Sequence, residues 1–188
     1  MESSRKQIFT IPNMLSMFRI LLIPLIVWLY CGQQAYHPAA WVLVLSGITD
    51  VSDGFIARHF HMVSDLGKVL DPIADKLTQT VTLVCLLTRF DALWWVLGML
   101  VFKETVMAGL GLAVIRRTGT VYSAAWHGKL ATVVLYAVIF THFVWYDIPA
   151  SVSAGLAAAG TGCILLSLVL YTAANVGRLR AAFGTQER

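Results

Sequence analysis

Charge is scarce in this sequence. Of 188 residues only 13% are charged, against about a quarter in an ordinary soluble domain. With 58% hydrophobic residues, this excludes a water-soluble globular domain. Cysteine is scarce as well. Cys31, Cys85 and Cys163 stand far apart in the chain, in or beside apolar runs. That spacing gives neither a disulfide framework nor a zinc site. There is no basic stripe, because the net charge of +4 comes from residues flanking apolar segments. A nucleic-acid interface is therefore not expected. Beta-barrel alternation, internal repeats and low-complexity segments are absent too. Ser3 to Thr10 is polar, and the apolar run after it is long enough to stay in a membrane, so no cleaved leader is expected. The length suits one domain, residues 1–188.

What the chain has in quantity is long apolar segments. A membrane helix needs about 20 mostly apolar residues. Six segments qualify: about Ile11 to Tyr30, Pro38 to His59, Leu66 to Leu87, Ala92 to Ile115, Gly128 to Tyr146 and Val152 to Val176. Short connections make neighbours antiparallel. Arg5, Lys6, Arg58, Lys68, Arg116, Arg117, Lys129, Arg178, Arg180 and Arg188 gather at alternate ends. The positive-inside rule then places both termini in the cytoplasm. Trp28, Trp41, Trp94, Trp95 and Trp145 fall towards the other face, as an aromatic belt does. The expected fold is all-α: a polytopic membrane protein with six transmembrane helices.

The second and third segments break the apolar rule. Ala39 to Thr49 is an apolar run of eleven residues, and the helix reaches the far surface only by continuing through Asp50, Asp53 and Arg58. The third begins with Lys68, Asp71, Asp75 and Lys76. A charge at membrane depth costs about 2.5–3.5 kcal/mol on insertion scales, so intramembrane charges are functional by default. Asp50 and Asp53 are three apart and Asp71 and Asp75 four apart, so each pair shares a helix face. A short polar turn, His59 to Asp65, lets the two helices pack side by side with the pairs opposed. Gly54, Ala57 and Gly67 allow close approach of a backbone or ligand. Four carboxylates in one pocket need cations between them. Hard oxygen donors suit Mg²⁺ or Mn²⁺, and two such ions would clamp a phosphate undergoing in-line displacement. A set of structural salt bridges with Arg58, Lys68 and Lys76 is the plainer alternative.

The string Asp50-Val-Ser-Asp53-Gly54-Phe-Ile-Ala57-Arg58, eight residues, Gly67, three residues, Asp71, three residues, Asp75 resembles the signature of the CDP-alcohol phosphotransferase family, with all eight identities in register. The family's six-helix architecture matches nearly the whole chain. The resemblance implies that Asp50, Asp53, Asp71 and Asp75 bind metal and that Asp75 is the general base. It implies that Asp50, Gly54, Ala57, Arg58 and Gly67 hold the CDP group, that CDP-diacylglycerol is the donor lipid, and that the protein is a homodimer. In that chemistry an alcohol attacks the lipid-bearing phosphate and CMP leaves.

Ile11-Pro12-Asn13 through Arg19-Ile20, and Leu70-Asp71-Pro72-Ile73-Ala74-Asp75-Lys76, resemble the branch of phosphatidylglycerolphosphate and cardiolipin synthases. The acceptor this implies is sn-glycerol 3-phosphate. Lys103, Lys129 and Arg178 are the basic candidates for its phosphate. Lys103 also has a structural partner to hand in Glu104, and Lys129 and Arg178 are equally suited to be solvated charges beside the membrane. Arg19 either snorkels to the interface or meets a lipid headgroup. Asn13 is expected to cap the first helix, with contact to the nucleotide as the alternative. His59 and His61 are expected on a surface turn, and Ser52, Ser64 and Thr78 in packing or capping roles. Phosphatidylglycerol or an inositol phosphate is the alternative acceptor, and a divalent-cation transporter the alternative class. Small size and the lack of a targeting segment point to a bacterial cytoplasmic membrane, with the site facing the cytoplasm.

Overall fold

Helix α1 (Ile11–Val27) begins where Thr10, in an extended conformation, accepts a hydrogen bond from the Asn13 backbone N–H at 3.4 Å. Thr10, not Asn13, is therefore the cap. Pro12 follows in the first turn, where its missing N–H costs nothing. The computed structural model describes residues 10–59, 66–118 and 126–184. The side chains of 57, 58, 68, 117, 118, 126, 127 and 178–184 are outside that description.

Pro24 interrupts α1 and leaves one carbonyl without its usual donor. Past α1 the coil widens into a π-helical turn, Trp28–Gly32, closed by a 2.9 Å bond from the Gln33 N–H to the Trp28 carbonyl. Gln34 then adopts φ 51°, the left-handed conformation that commonly ends a helix. Five more helices follow: α2 (Tyr36–His59), α3 (Gly67–Leu87), α4 (Leu93–Thr118), α5 (Trp126–Val144) and α6 (Ala150–Gly184). No strand occurs among the described residues.

The helices coincide with the six apolar segments to within a few residues, except α6. Its 35 residues, about 52 Å at 1.5 Å per residue, run past Val176 to Gly184. Arg178 therefore lies inside α6. Hydropathy ends near Val176, but arginine, leucine and alanine are good helix formers and carry the helix on. Four segments are long and apolar enough to cross a membrane: Ile11–Gly32, Tyr36–Ile56, Leu93–Arg116 and Ala150–Gly177; Gly128–Val144 is a shorter apolar helix. Helix α3 is not among them, because its first half carries Asp71, Asp75 and Lys76.

The chain divides into two units, Met1–Arg89 with Ile139–Asp147, and Phe90–Val138 with Ile148–Arg188. In the first, α1 packs against both α2 and α3. Among the described residues α2 and α3 make little direct contact. Both acidic helices meet α1, which joins them. Its buried face is Pro12, Asn13, Ser16, Arg19, Leu22 and Ile26, recurring every three or four residues. Towards its far end the same unit is aromatic. The Tyr30 ring lies 4.8 Å from Phe143 and 5.0 Å from Tyr36, and Tyr36 stacks on Tyr146 at 5.4 Å. The Arg89 guanidinium sits 4.6 Å above the Tyr36 ring. The buried Cys85 thiol lies beside that of Cys31, so two cysteines distant in sequence are neighbours in space.

In the second unit α4 packs along α6. The Tyr171 hydroxyl donates to the Met107 carbonyl at 3.5 Å. A Cβ on Gly111 would meet the Tyr171 hydroxyl, and one on Gly160 would meet Val138, each at 3.4 Å. Small residues are what let these neighbours approach. Trp28, Trp41, Trp94, Trp95 and Trp145 are all exposed, which suits rings meeting a lipid interface.

Candidate active site

Two polar residues on the buried face of α1 organise the acidic helices. Arg19 is only 2% exposed, at a depth where a charge must have a partner. Its guanidinium forms ion pairs with both Asp50 and Asp53, the latter at 2.5 Å. The three-residue spacing of the aspartates makes this possible, because it sets both carboxylates on the face of α2 that meets α1. Arg19 therefore does not snorkel to the interface.

Ser16 stands one turn earlier. Its hydroxyl lies 3.0 Å from the Pro12 carbonyl, 3.4 Å from Asp53 and closest of all to Asp71. A hydroxyl has one proton to donate, so Ser16 serves one acceptor at a time and ties α3 to α2 through α1. Asp75 is half-buried and completes the group, since Asp50 feels the charges of both Asp71 and Asp75. The four carboxylates thus form one electrostatic cluster, of which Arg19 and Ser16 hold Asp50, Asp53 and Asp71. Among the described residues no three acidic, histidine or cysteine side chains close on a single point as a finished metal site.

Gly54 is half-buried next to Asp53, and Gly67 is buried at the first position of α3. Ala57 and Arg58 fall on the described backbone of α2, but their side chains lie outside the described residues. His59 is exposed and stacks on Phe55 at 5.6 Å, in keeping with a surface role. His61 and Ser64 lie outside the described residues. Ser52 and Thr78 donate to carbonyls one turn back in their own helices, at 2.7 and 2.9 Å.

The basic acceptor candidates belong to the second unit. Lys103 is buried and pairs with Glu104 at 3.1 Å, as its structural reading expected. Lys129 is exposed near the start of α5. The side chain of Arg178 lies outside the described residues.

Sequence reasoning missed Ser16 altogether and misjudged Arg19. The signal was present: Asn13, Ser16 and Arg19 recur every three residues, a polar stripe on one face of an otherwise apolar helix. Such a stripe in a membrane span faces the protein interior.

Hard-oxygen donors converging from two helices suit divalent cations. The chain belongs to the CDP-alcohol phosphatidyltransferase family, whose model matches residues 9–176. This family generally uses divalent metals. The chain is 38% identical to the cardiolipin synthase (CMP-forming) of Streptomyces coelicolor over 118 residues, 60% of this chain and 54% of that protein. It is 36% identical to a Mycobacterium tuberculosis protein named "Probable phosphatidylglycerophosphate synthase" over 137 residues, 70% of this chain and 65% of that protein. Against the CDP-diacylglycerol–glycerol-3-phosphate 3-phosphatidyltransferase of Escherichia coli K12, identity is 30% over 131 residues, 66% of this chain and 71% of that protein. The chain thus spans less than two thirds of the length of the first two of these relatives.

Proposed function

We propose that the protein transfers a phosphatidyl group from CDP-diacylglycerol to sn-glycerol 3-phosphate, giving phosphatidylglycerol phosphate and CMP. The observation that carries this reading is the gathering of Asp50, Asp53 and Asp71 from two helices onto Arg19 and Ser16. The acceptor is argued from the proline after Asp71 and from the printed names of the Mycobacterium and Escherichia relatives.

Phosphoryl transfer asks a protein for positioning and charge neutralisation more than for covalent help. Asp50, Asp53, Asp71 and Asp75 would hold two Mg²⁺ or Mn²⁺ ions, which supply charge neutralisation at the diphosphate when bound. Asp50, Gly54, Ala57, Arg58 and Gly67 would hold the CDP group. Asp75 takes the proton from the glycerol 3-phosphate hydroxyl as the new oxygen–phosphorus bond forms. The bond from the lipid-bearing phosphorus to the CMP oxygen breaks, and CMP leaves. Lys103, Lys129 and Arg178 are the candidates to bind the acceptor's phosphate.

In this reading residues 1–188 form one catalytic domain with six membrane spans. Both termini and the site face the cytoplasm across a bacterial cytoplasmic membrane, and the protein is a homodimer. The alternating Lys/Arg distribution supports the orientation, and a single family match running through both units supports the single domain.

One other acceptor has an observation in its favour. The Streptomyces relative is named a cardiolipin synthase, which points to phosphatidylglycerol. Both acceptors are tested together. Purified protein is given CDP-diacylglycerol, Mg²⁺ or Mn²⁺, and in turn glycerol 3-phosphate, phosphatidylglycerol or an inositol phosphate, and products are identified by mass. Phosphatidylglycerol phosphate and CMP are expected with glycerol 3-phosphate alone, and neither in chelator. A cardiolipin product moves the acceptor to phosphatidylglycerol, and turnover in chelator ends the metal reading.

A further inference from the structure

We propose that Arg19 is a resident counter-ion of the acidic cluster, one that competes with divalent cations for Asp50 and Asp53. This rests on the metal reading above and assigns to α1 the setting of metal affinity.

Arg19 is buried in the first unit, on the face of α1 that α2 and α3 pack against. Its two terminal nitrogens are ion-paired with Asp50 and Asp53, the carboxylates that a metal ion would share. Its Nε–H, also buried, has no hydrogen-bond partner among the described residues. A permanent structural arginine in a membrane interior normally has its whole fork of donors satisfied, because each orphaned buried donor costs stability. Here the guanidinium is held at one end only, by charge. Asp71 is held instead by the neutral hydroxyl of Ser16, which can reorient.

Charge balance points the same way. Among the described residues Arg19 brings one positive charge to the two carboxylates it pairs with, Asp50 and Asp53, so it steadies that pair without neutralising it. Divalent ions neutralise it better, but each must first displace a cation that is tethered to the same helix bundle and always present. Removing Arg19 therefore frees Asp50 and Asp53 for metal, and at the same time deprives the metal-free protein of its internal cation.

The test is Mn²⁺ binding to the full chain in detergent, read from the electron paramagnetic resonance signal of free Mn²⁺. Arg19→Gln is expected to bind Mn²⁺ at least tenfold more tightly than the parent, the effect of deleting one close charge coupling. Its melting temperature should be lower in chelator and should rise more on adding Mn²⁺. Arg19→Lys, whose compact ammonium reaches one carboxylate at a time, should fall between, and it decides the matter if the glutamine variant does not fold. Unchanged or weaker Mn²⁺ affinity in the variant that folds overturns the proposal. Asp71→Asn with Arg19 intact separates the two levels. If the parent binds no Mn²⁺ and Asp71→Asn changes nothing, the metal reading itself has failed, and this inference falls with it.

Discussion

The two ends of the first unit are built on opposite principles, although α1 and the π-helical turn that continues it join them. Near Ser16 and Arg19 the helices meet through charge: two ion pairs and one hydroxyl among the described residues. About 17 Å further along, at 1.5 Å per residue, Tyr30 meets Tyr36 and Phe143 through ring contacts, with Arg89 laid over Tyr36. The aromatic end stabilises: Tyr30, Phe143, Leu83 and Leu86 are essentially inaccessible, and buried rings contribute area and geometry together. The charged end costs stability, because like charges are held close at membrane depth. A fold that keeps such a cluster needs a firm packing region elsewhere on the same helices. The contrast predicts that substitutions at one end move turnover and substitutions at the other move stability.

The largest effect is expected at Asp75. Asp75→Asn keeps the shape and removes the base, so CMP release from CDP-diacylglycerol should fall about 10²–10⁴-fold. Its melting temperature in detergent should stay close to the parent's, because the side chain keeps its shape. A normal rate would break the comparison at its active end. Phe143→Ala is next. Deleting a fully buried ring should cost about 3–5 kcal/mol, seen as a fall in melting temperature with the turnover of the folded fraction unchanged. Arg89→Ala removes the cation–π contacts to Tyr36 and Tyr146. It should lower stability by about 0.5–1 kcal/mol, again without a change in rate. The smallest effect belongs to Tyr30→Phe. The Tyr30 hydroxyl is buried with no hydrogen-bond partner among the described residues, so deleting it should leave the melting temperature unchanged or slightly raised. A clear loss of stability there would reveal a partner for that hydroxyl and make the aromatic end more polar than described.

Much of this was legible in the chain. Six apolar segments foretold six helices, because a membrane interior leaves the backbone few alternatives. The spacings Asp50–Asp53 and Asp71–Asp75 foretold two acidic faces, because side chains three or four apart share a side of a helix. The end of α6 was misplaced because hydropathy stops before helix propensity does. The cap of α1 was misassigned by three residues, because Thr10 and Asn13 are both good capping types and only backbone conformation separates them.

The sequence by itself determined the helices, the acidic faces and the family, because each depends on local spacing and local chemistry. Only the tertiary structure decided what those faces meet. Nothing in the order of residues says that both acidic helices meet α1, or that a buried arginine on it pairs with Asp50 and Asp53. Those outcomes follow from long-range packing and from a charge at membrane depth finding the opposite charge within reach.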